Sequence, residues 1–229
     1  MPTVAGLLAD TLRPTMAEFD GEVLPGLWAF SAQHPEWSEP DGEEDGWDPL
    51  VAWWAVGTSR GLLLIDPLVT DWAELDRRVA AHDGCAGIVR TIHWHQRSVA
   101  SAAARYNASV WAMQSPELEP RRPFDHALHD QEELWDGIQA FFLERDDELA
   151  LWLPKQASLL FGDAMIRRGD GQLRVCPESW TQPAGGPDRL RILLGALGHL
   201  SVEHVFVSHG PLVTGGGLES LQAAVRYSG

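Results

Sequence analysis

Apolar residues in this chain fall into short runs with two spacings, and each spacing predicts a different element. The segments Glu22–Ser31 (EVLPGLWAFS) and Leu50–Gly57 (LVAWWAVG) are rich in Val and Trp and predict strands. Gly61–Asp66 (GLLLID) is a continuous apolar run behind a turn at Thr58–Arg60, the pattern of a strand covered on both faces, and the opening strands form a hairpin. From Thr70 the spacing becomes helical: Thr70 as N-cap, Asp71 in the first turn, Trp72, Leu75 and Val79 on one face, and an end near His82. Gly87–Ile92 (GIVRTI) predicts another buried strand. It is followed by the short segment His93–Ser98 and an alanine-rich helix to about Tyr106, N-capped by Ser98, which makes a strand-to-helix crossover.

Ser109–Met113, Gly137–Leu143, Glu148–Leu153 and Ala157–Phe161 predict further strands, the last two paired around Pro154-Lys155. A helix with Pro187 near its start runs to about His199, and Glu203–Ser208 is the final strand before a closing helix near Leu218–Arg226. No short repeat is present. Strands and helices mix in both halves, so the reading is α/β, with sheets that need helices on their outer faces.

Composition narrows the function. At 229 residues and 45% hydrophobic, the chain suits a single domain over 1–229, with the Pro- and acid-rich stretch 32–49 as a solvated surface loop. A net charge of −16 repels phosphate backbones, so nucleic acid is disfavoured and a small neutral or hydrophobic substrate or ligand is easier to admit. No run of apolar residues is long enough to span a membrane. Met1–Asp10 has no basic residue ahead of its apolar stretch, unlike a secretory signal, and a cytoplasmic location is the default. Cys85 and Cys176 lie far apart and belong to no C-x-x-C pair, so both are expected as buried reduced thiols. The eleven tryptophans are expected mostly in the core, and the tryptophan-bearing surface loops would allow a homodimer.

Three polar clusters stand at the C-terminal ends of predicted buried strands: His93-Trp94-His95, Gly162-Asp163 and His209-Gly210. Loops at strand ends let a rigid sheet aim side chains at one point. In an extended segment His93 and His95 would face the same side and offer imidazoles to one cation, with Trp94 turned to the opposite face against the sheet. Asp163 and His209 would complete a nitrogen-and-oxygen site suited to zinc, iron or manganese.

These segments, GLLLIDP, TIHWHQRS, LALWLPKQASLLFGDAM and HVFVSHGPLV, stand in the order and spacing of the metallo-β-lactamase superfamily, which the chain resembles from about Val23 onward. The resemblance implies a four-layer αββα sandwich with a metal site at the edge between two sheets, and hydrolysis of esters, thioesters, amides or phosphodiesters. The family's His-x-His-x-Asp-His motif stands here as His93, Trp94, His95, Gln96, Arg97, Ser98, so its first two ligands are kept and its Asp and last His are replaced. The family's third histidine falls by ungapped counting on Glu144, its bridging aspartate on Asp163, its last histidine on His209, and its structural aspartate on Asp66.

The resemblance therefore implies at most one ion, held by His93, His95, Asp163 and Glu144, while the second position keeps only Asp163 and His209. Arg97 is expected to occupy part of that second space and to pair with Asp163. With an ion bound, Asp163 would accept a proton, and Arg97 or His209 would steady an oxyanion. Two functions follow: a degenerate hydrolase for a small ester, thioester or lactone-type substrate, or an inactive pseudoenzyme that binds a small molecule or a protein partner.

Plainer readings stand beside these. His93 and His95 could be hydrogen-bonded histidines at a strand end, and Asp163 could merely cap a turn. Ser98 lacks a nucleophile elbow and is expected only as a helix cap. Arg145, Asp146 and Asp147 read as solvated turn residues, His126 and His129 as exposed, and His34, His82, His199 and His204 have no partner pattern. Trp37 and Trp47, on the acidic loop, are expected either at a pocket mouth or in core or interface contacts.

Overall fold

The computed structural model describes residues 21–38, 48–113, 124–144, 148–181 and 185–227. The central part of the acidic loop, Trp47, and Arg145, Asp146 and Asp147 lie outside the described residues.

Seven strands form the first sheet in sequence order: β1 (Gly21–Leu24), β2 (Leu27–Gln33), β3 (Leu50–Thr58), β4 (Gly61–Ile65), β5 (Cys85–Arg90), β6 (Val110–Ala112) and β7 (His126–Ala127). β1 to β4 are antiparallel hairpin partners, whereas β4, β5, β6 and β7 are parallel. Helices α1 (Trp72–Ala81) and α2 (Val99–Tyr106) make the crossovers between β4 and β5 and between β5 and β6. The second sheet is formed by β8 (Gln139–Phe142), β9 (Leu149–Leu153), β10 (Ser158–Phe161) and β13 (His204–Val207), in the order β13-β10-β9-β8. β11 (Met165–Arg167) and β12 (Leu173–Val175) form a separate hairpin, and α3 (Gly186–Ala196) and α4 (Gly217–Arg226) complete the second half.

Strand alternation explains the layering. On β3 and β4, Trp54, Val56, Leu63 and Ile65 point inward to meet Leu151, Leu153, Leu160 and Phe206 of the second sheet. Their neighbours Trp53, Ala55, Leu62 and Leu64 point the other way and meet Leu75 and Val79 of α1 and Val99 and Ala102 of α2. The second sheet repeats the scheme: Leu159, Phe161, Val205 and Val207 pack on Leu190 and Leu194 of α3 and Leu221 of α4. Three apolar layers separate four structural ones, which is the αββα order. Each fully buried Leu, Ile or Phe in these layers contributes roughly 1.5–3 kcal/mol.

Several expectations are corrected. Glu22–Ser31 is two strands, because Pro25-Gly26 makes a turn that pairs β1 with β2. Asp71, rather than Thr70, caps α1, its Oδ1 accepting the Glu74 N–H at 3.0 Å. Ser98 stands at the start of α2 but makes no side-chain cap; its hydroxyl accepts the Val69 N–H at 2.9 Å and ties down the loop after β4. Among the described tryptophans only Trp53 and Trp54 are buried; Trp28, Trp72, Trp111, Trp135, Trp152 and Trp180 pack half-buried against the apolar layers, Trp37 is half-buried, and Trp94 is exposed. Cys176 is a buried free thiol and Cys85 a half-buried one. Among the described residues no helix is long and apolar enough to cross a membrane.

Candidate metal centre

Parallel pairing decides where the polar residues meet. β4 and β5 run parallel, as do β10 and β13, so the loops after all four emerge at one edge. The sheets are stitched together there: Val51 bridges His209, the Ala52 N–H donates to the Ser208 carbonyl at 2.8 Å, and the Leu149 N–H donates to the Thr91 carbonyl at 2.8 Å.

Asp66 follows β4 with a positive φ of 49° and is fully buried. One carboxylate oxygen accepts the Thr91 N–H at 2.7 Å; the other accepts the Thr91 hydroxyl and faces His95 Nδ1 at 2.8 Å. That contact places the imidazole proton on Nδ1 and turns Nε2 toward the centre. His95 Nε2 and His209 Nε2 each lie 3.1 Å from the same oxygen, Oδ1 of Asp163. The ligand atoms of His95, Asp163 and His209 all fall within 4.8 Å of one another.

Asp163 is held by its own backbone. The fully buried Glu148 carboxylate accepts the N–H groups of Asp163 and Ala164, both at 2.7 Å. Gly162 is required beside it, since a Cβ there would lie 2.6 Å from Thr91 Oγ1 and 3.0 Å from Glu148 Oε1. On the other side, the His209 carbonyl accepts the Arg167 N–H at 2.8 Å, and the Trp180 ring packs edge-on to the His209 imidazole at 5.4 Å.

Arg97 supplies the remaining charge. From a backbone with φ of 30°, its Nη1 donates to the carbonyls of Ala52 and Asp66 at 3.3 and 3.4 Å, and its Nη2 lies 3.0 Å from His95 Nε2. The expected ion pair with Asp163 does not form among the described residues. Two imidazoles already occupy Asp163 Oδ1, and the two carbonyls hold the guanidinium beside His95.

The electrostatics are tightly opposed. Burial works to raise the Asp163 carboxyl, but the charge of His95 and the hydrogen bonds from His209 and His95 hold it well below the usual carboxylate range. Burial and Arg97 press His95 downward, yet Asp163 and Asp66 overcome them and raise its pKa. At His209 burial prevails and the pKa falls, and burial likewise lowers that of Arg97.

This donor set fits one cation. With its proton directed at Asp66, His95 has a single lone pair on Nε2, which can accept from Arg97 Nη2 at 3.0 Å or face a positive ion shared with Asp163 Oδ1, 3.1 Å away, but not both. Two imidazole nitrogens and a carboxylate oxygen match the ligand preferences of zinc and of iron or manganese. Arg97 and Ser98 bring no donor suited to a second ion.

Two sequence-derived ligands are not members of that three-residue group. His93 is 2% exposed and meets the Trp94 ring edge-on at 4.9 Å, outside the group formed by the other three. Glu144 is paired elsewhere: past the end of β8, with φ of 53°, it forms a two-toothed ion pair with Arg189 of α3 at 2.5 and 2.8 Å, and its side chain is 42% exposed. Trp94 is also corrected. The His93–Ser98 segment is a series of turns, with the His95 N–H on the Ile92 carbonyl and the Gln96 N–H on the Trp94 carbonyl, so Trp94 faces solvent at 55% exposure.

His34, just past β2, belongs to the surroundings of the site: burial first, then the charges of Arg97, His209 and His95, lower its pKa. No local pattern marks it in the sequence, because those neighbours lie more than sixty residues away. Trp180 was equally invisible, since only the fold brings its ring to His209.

No protein-family model matches the chain, and no curated protein matches it by sequence. Solved structures do. The DIM-1 metallo-β-lactamase is similar over 90% of this chain and 95% of its own, at 16% identity and a TM-score of 0.68. A metallo-β-lactamase from Pontibacter korlensis is similar over 90% and 98%, at 15% identity and a TM-score of 0.64. TTHA1623, solved in a di-iron-bound form, is similar over 76% and 93%, at 21% identity and a TM-score of 0.58. The arrangement of layers, strands and helices is that of these proteins: the chain has the metallo-β-lactamase fold.

Proposed function

We propose that the protein is a metal-dependent hydrolase with a single-ion site formed by His95, Asp163 and His209, acting on a small ester, thioester or lactone-type substrate. The observation that carries this reading is the convergence of the His95 and His209 imidazoles on one oxygen of the third residue, Asp163 Oδ1, at the edge where the two sheets meet. Bound there, an ion would supply Lewis-acid polarisation and water activation. Asp66 orients His95, and Glu148 orients Asp163 through its backbone. Asp163, whose carboxyl is held well below the usual range, would accept a proton from a water activated there. The Arg97 guanidinium is a fixed cation beside the reacting centre and would steady a developing oxyanion. The acidic composition favours a small uncharged substrate over a polyanion, consistent with a cytoplasmic protein that engages neither nucleic acid nor membranes.

A second reading has its own support. The 3.0 Å contact between Arg97 Nη2 and His95 Nε2 places a permanent cation against a metal-facing nitrogen, which favours a metal-free pseudoenzyme whose pocket binds a small molecule or protein partner. Hydrolysis of aryl esters and thioesters by protein loaded with zinc, iron or manganese separates the two. Turnover that disappears in both His95→Ala and His209→Ala supports the hydrolase; folded wild-type protein that binds none of these ions and turns over neither substrate class supports the pseudoenzyme.

A further inference from the structure

Behind the strand that fastens His209, a buried arginine stands without an acidic partner. Arg167 ends β11 and is only 4% exposed, yet among the described residues it forms no ion pair with a carboxylate. Its guanidinium donates to the carbonyls of Gly171 and Val205 at 3.1 and 3.3 Å, and its buried Nε has no hydrogen-bond partner. Burial alone pulls its pKa down, to about 10, which leaves it charged at neutral pH. In a chain of net charge −16 an unopposed buried cation is unexpected, because desolvated charges are normally retained with a counter-charge.

Arg167 lines a cavity of about 390 Å³ between the β11–β12 hairpin and α4, within the size range of small-molecule sites. Among the described residues the lining holds a second arginine, Arg174, and no carboxylate. Gln172, Ser220 and Tyr227 add neutral hydrogen-bonding groups, and Leu173, Val213 and the alanines of α4 make an apolar wall. Arg174 is fixed at the mouth by Asp170 at 2.5 Å and by the Tyr227 ring, 5.4 Å from its guanidinium carbon. An adjoining cavity of about 540 Å³ shares Arg174 and Tyr227 and brings in Arg168 and Arg191, with Glu178 and Asp188 on its rim.

We propose that the cavity lined by Arg167 and Arg174 is a binding site for a small oxyanion, a carboxylate or phosphate group, whose charge compensates Arg167 and whose remainder lies along the apolar wall. Arginine forks match the paired oxygens of both groups. The site is separate from the His95–Asp163–His209 centre and independent of any reaction there. It touches that centre through the backbone, by the Arg167 N–H on the His209 carbonyl and by Gly210, where φ is 103° and a Cβ would fall 1.9 Å from the Arg167 carbonyl oxygen.

Titration calorimetry of the full chain with inorganic phosphate and, separately, with acetate and butyrate tests this. Saturable binding of about one equivalent of either class is expected; preference for phosphate assigns a phosphate-bearing ligand, and preference for butyrate over acetate a carboxylate with an apolar tail. Arg167→Met, which keeps the length of the side chain without its charge, should weaken binding by more than about tenfold. Arg174→Gln, at the accessible mouth, should weaken it severalfold and serves if the Arg167 variant does not fold. Absence of saturable binding by phosphate and by both carboxylates overturns the proposal, and so does unchanged affinity in a folded Arg167→Met or in Arg174→Gln.

Discussion

Nη2 of Arg97 lies 3.0 Å from Nε2 of His95, so the nitrogen that Asp66 turns toward the centre meets a built-in cation. A guanidinium and a metal ion therefore compete for one lone pair. Replacing Arg97 with methionine should raise affinity for zinc by about tenfold or more, the scale of one charge-assisted contact. Arg97→Asp combined with Ser98→His should go further and raise the number of ions bound per chain. Metal titration with a chromophoric chelator as competitor reads both, and unchanged affinity and stoichiometry would show that Arg97 does not guard the site.

Asp66 acts through His95. Asp66→Ala removes the group that fixes the Nδ1 proton, and metal affinity should fall about 10- to 100-fold, as when an outer hydrogen-bond partner of a ligating histidine is lost. Nitrogen-15 shifts of the His95 ring should report a change of tautomer in the same variant. Retained affinity with an unchanged tautomer would assign that role elsewhere.

Glu148 and Gly162 hold the Asp163 turn. Glu148→Leu leaves the buried Ala164 N–H and the part-buried Asp163 N–H without their acceptor and should cost about 2 kcal/mol or more, at roughly 1–3 kcal/mol for a buried group. Gly162→Ala should also destabilise, because the added carbon collides with Thr91 and Glu148. Urea unfolding measures both, and losses under about 0.5 kcal/mol would contradict the packing described.

Cys85 gives a pH signature away from the centre. Burial pushes its thiol from 9.0 up to about 11, outweighing a downward pull from a backbone hydrogen bond of Gly87. A raised thiol pKa means less thiolate at any pH below it, so iodoacetamide labelling at pH 8 should be about 100-fold slower than for a thiol of pKa 9.0 and should rise about tenfold per pH unit toward pH 11. Labelling at the rate of an exposed thiol would place Cys85 in a different environment.

Much of the fold was readable in the sequence because period-two alternation and unbroken apolar runs report burial directly. β3, β4, β9 and β10 are each apolar enough along their length to reveal that they are covered. The β11–β12 hairpin was not readable: its strands have three residues each, too few for any period. At the site, His95, Asp163 and His209 were legible because each follows a buried strand, and parallel strands bring such ends together. Glu144 misled because counting residues cannot sense the left-handed turn that hands it to Arg189. Trp94 misled for a related reason, since alternation holds only in extended chain and the segment after Ile92 turns. His34 and Trp180 reach the centre by tertiary contacts alone.

The metal content of wild-type protein, purified without chelators and compared with Asp163→Ala and His209→Ala, tests the central claim most directly. The account predicts about one zinc, iron or manganese ion per wild-type chain, and a fall to background in both variants with the circular dichroism spectrum unchanged. Wild-type protein that is folded and metal-free, and that takes up no ion when zinc, iron and manganese are each supplied, would contradict it.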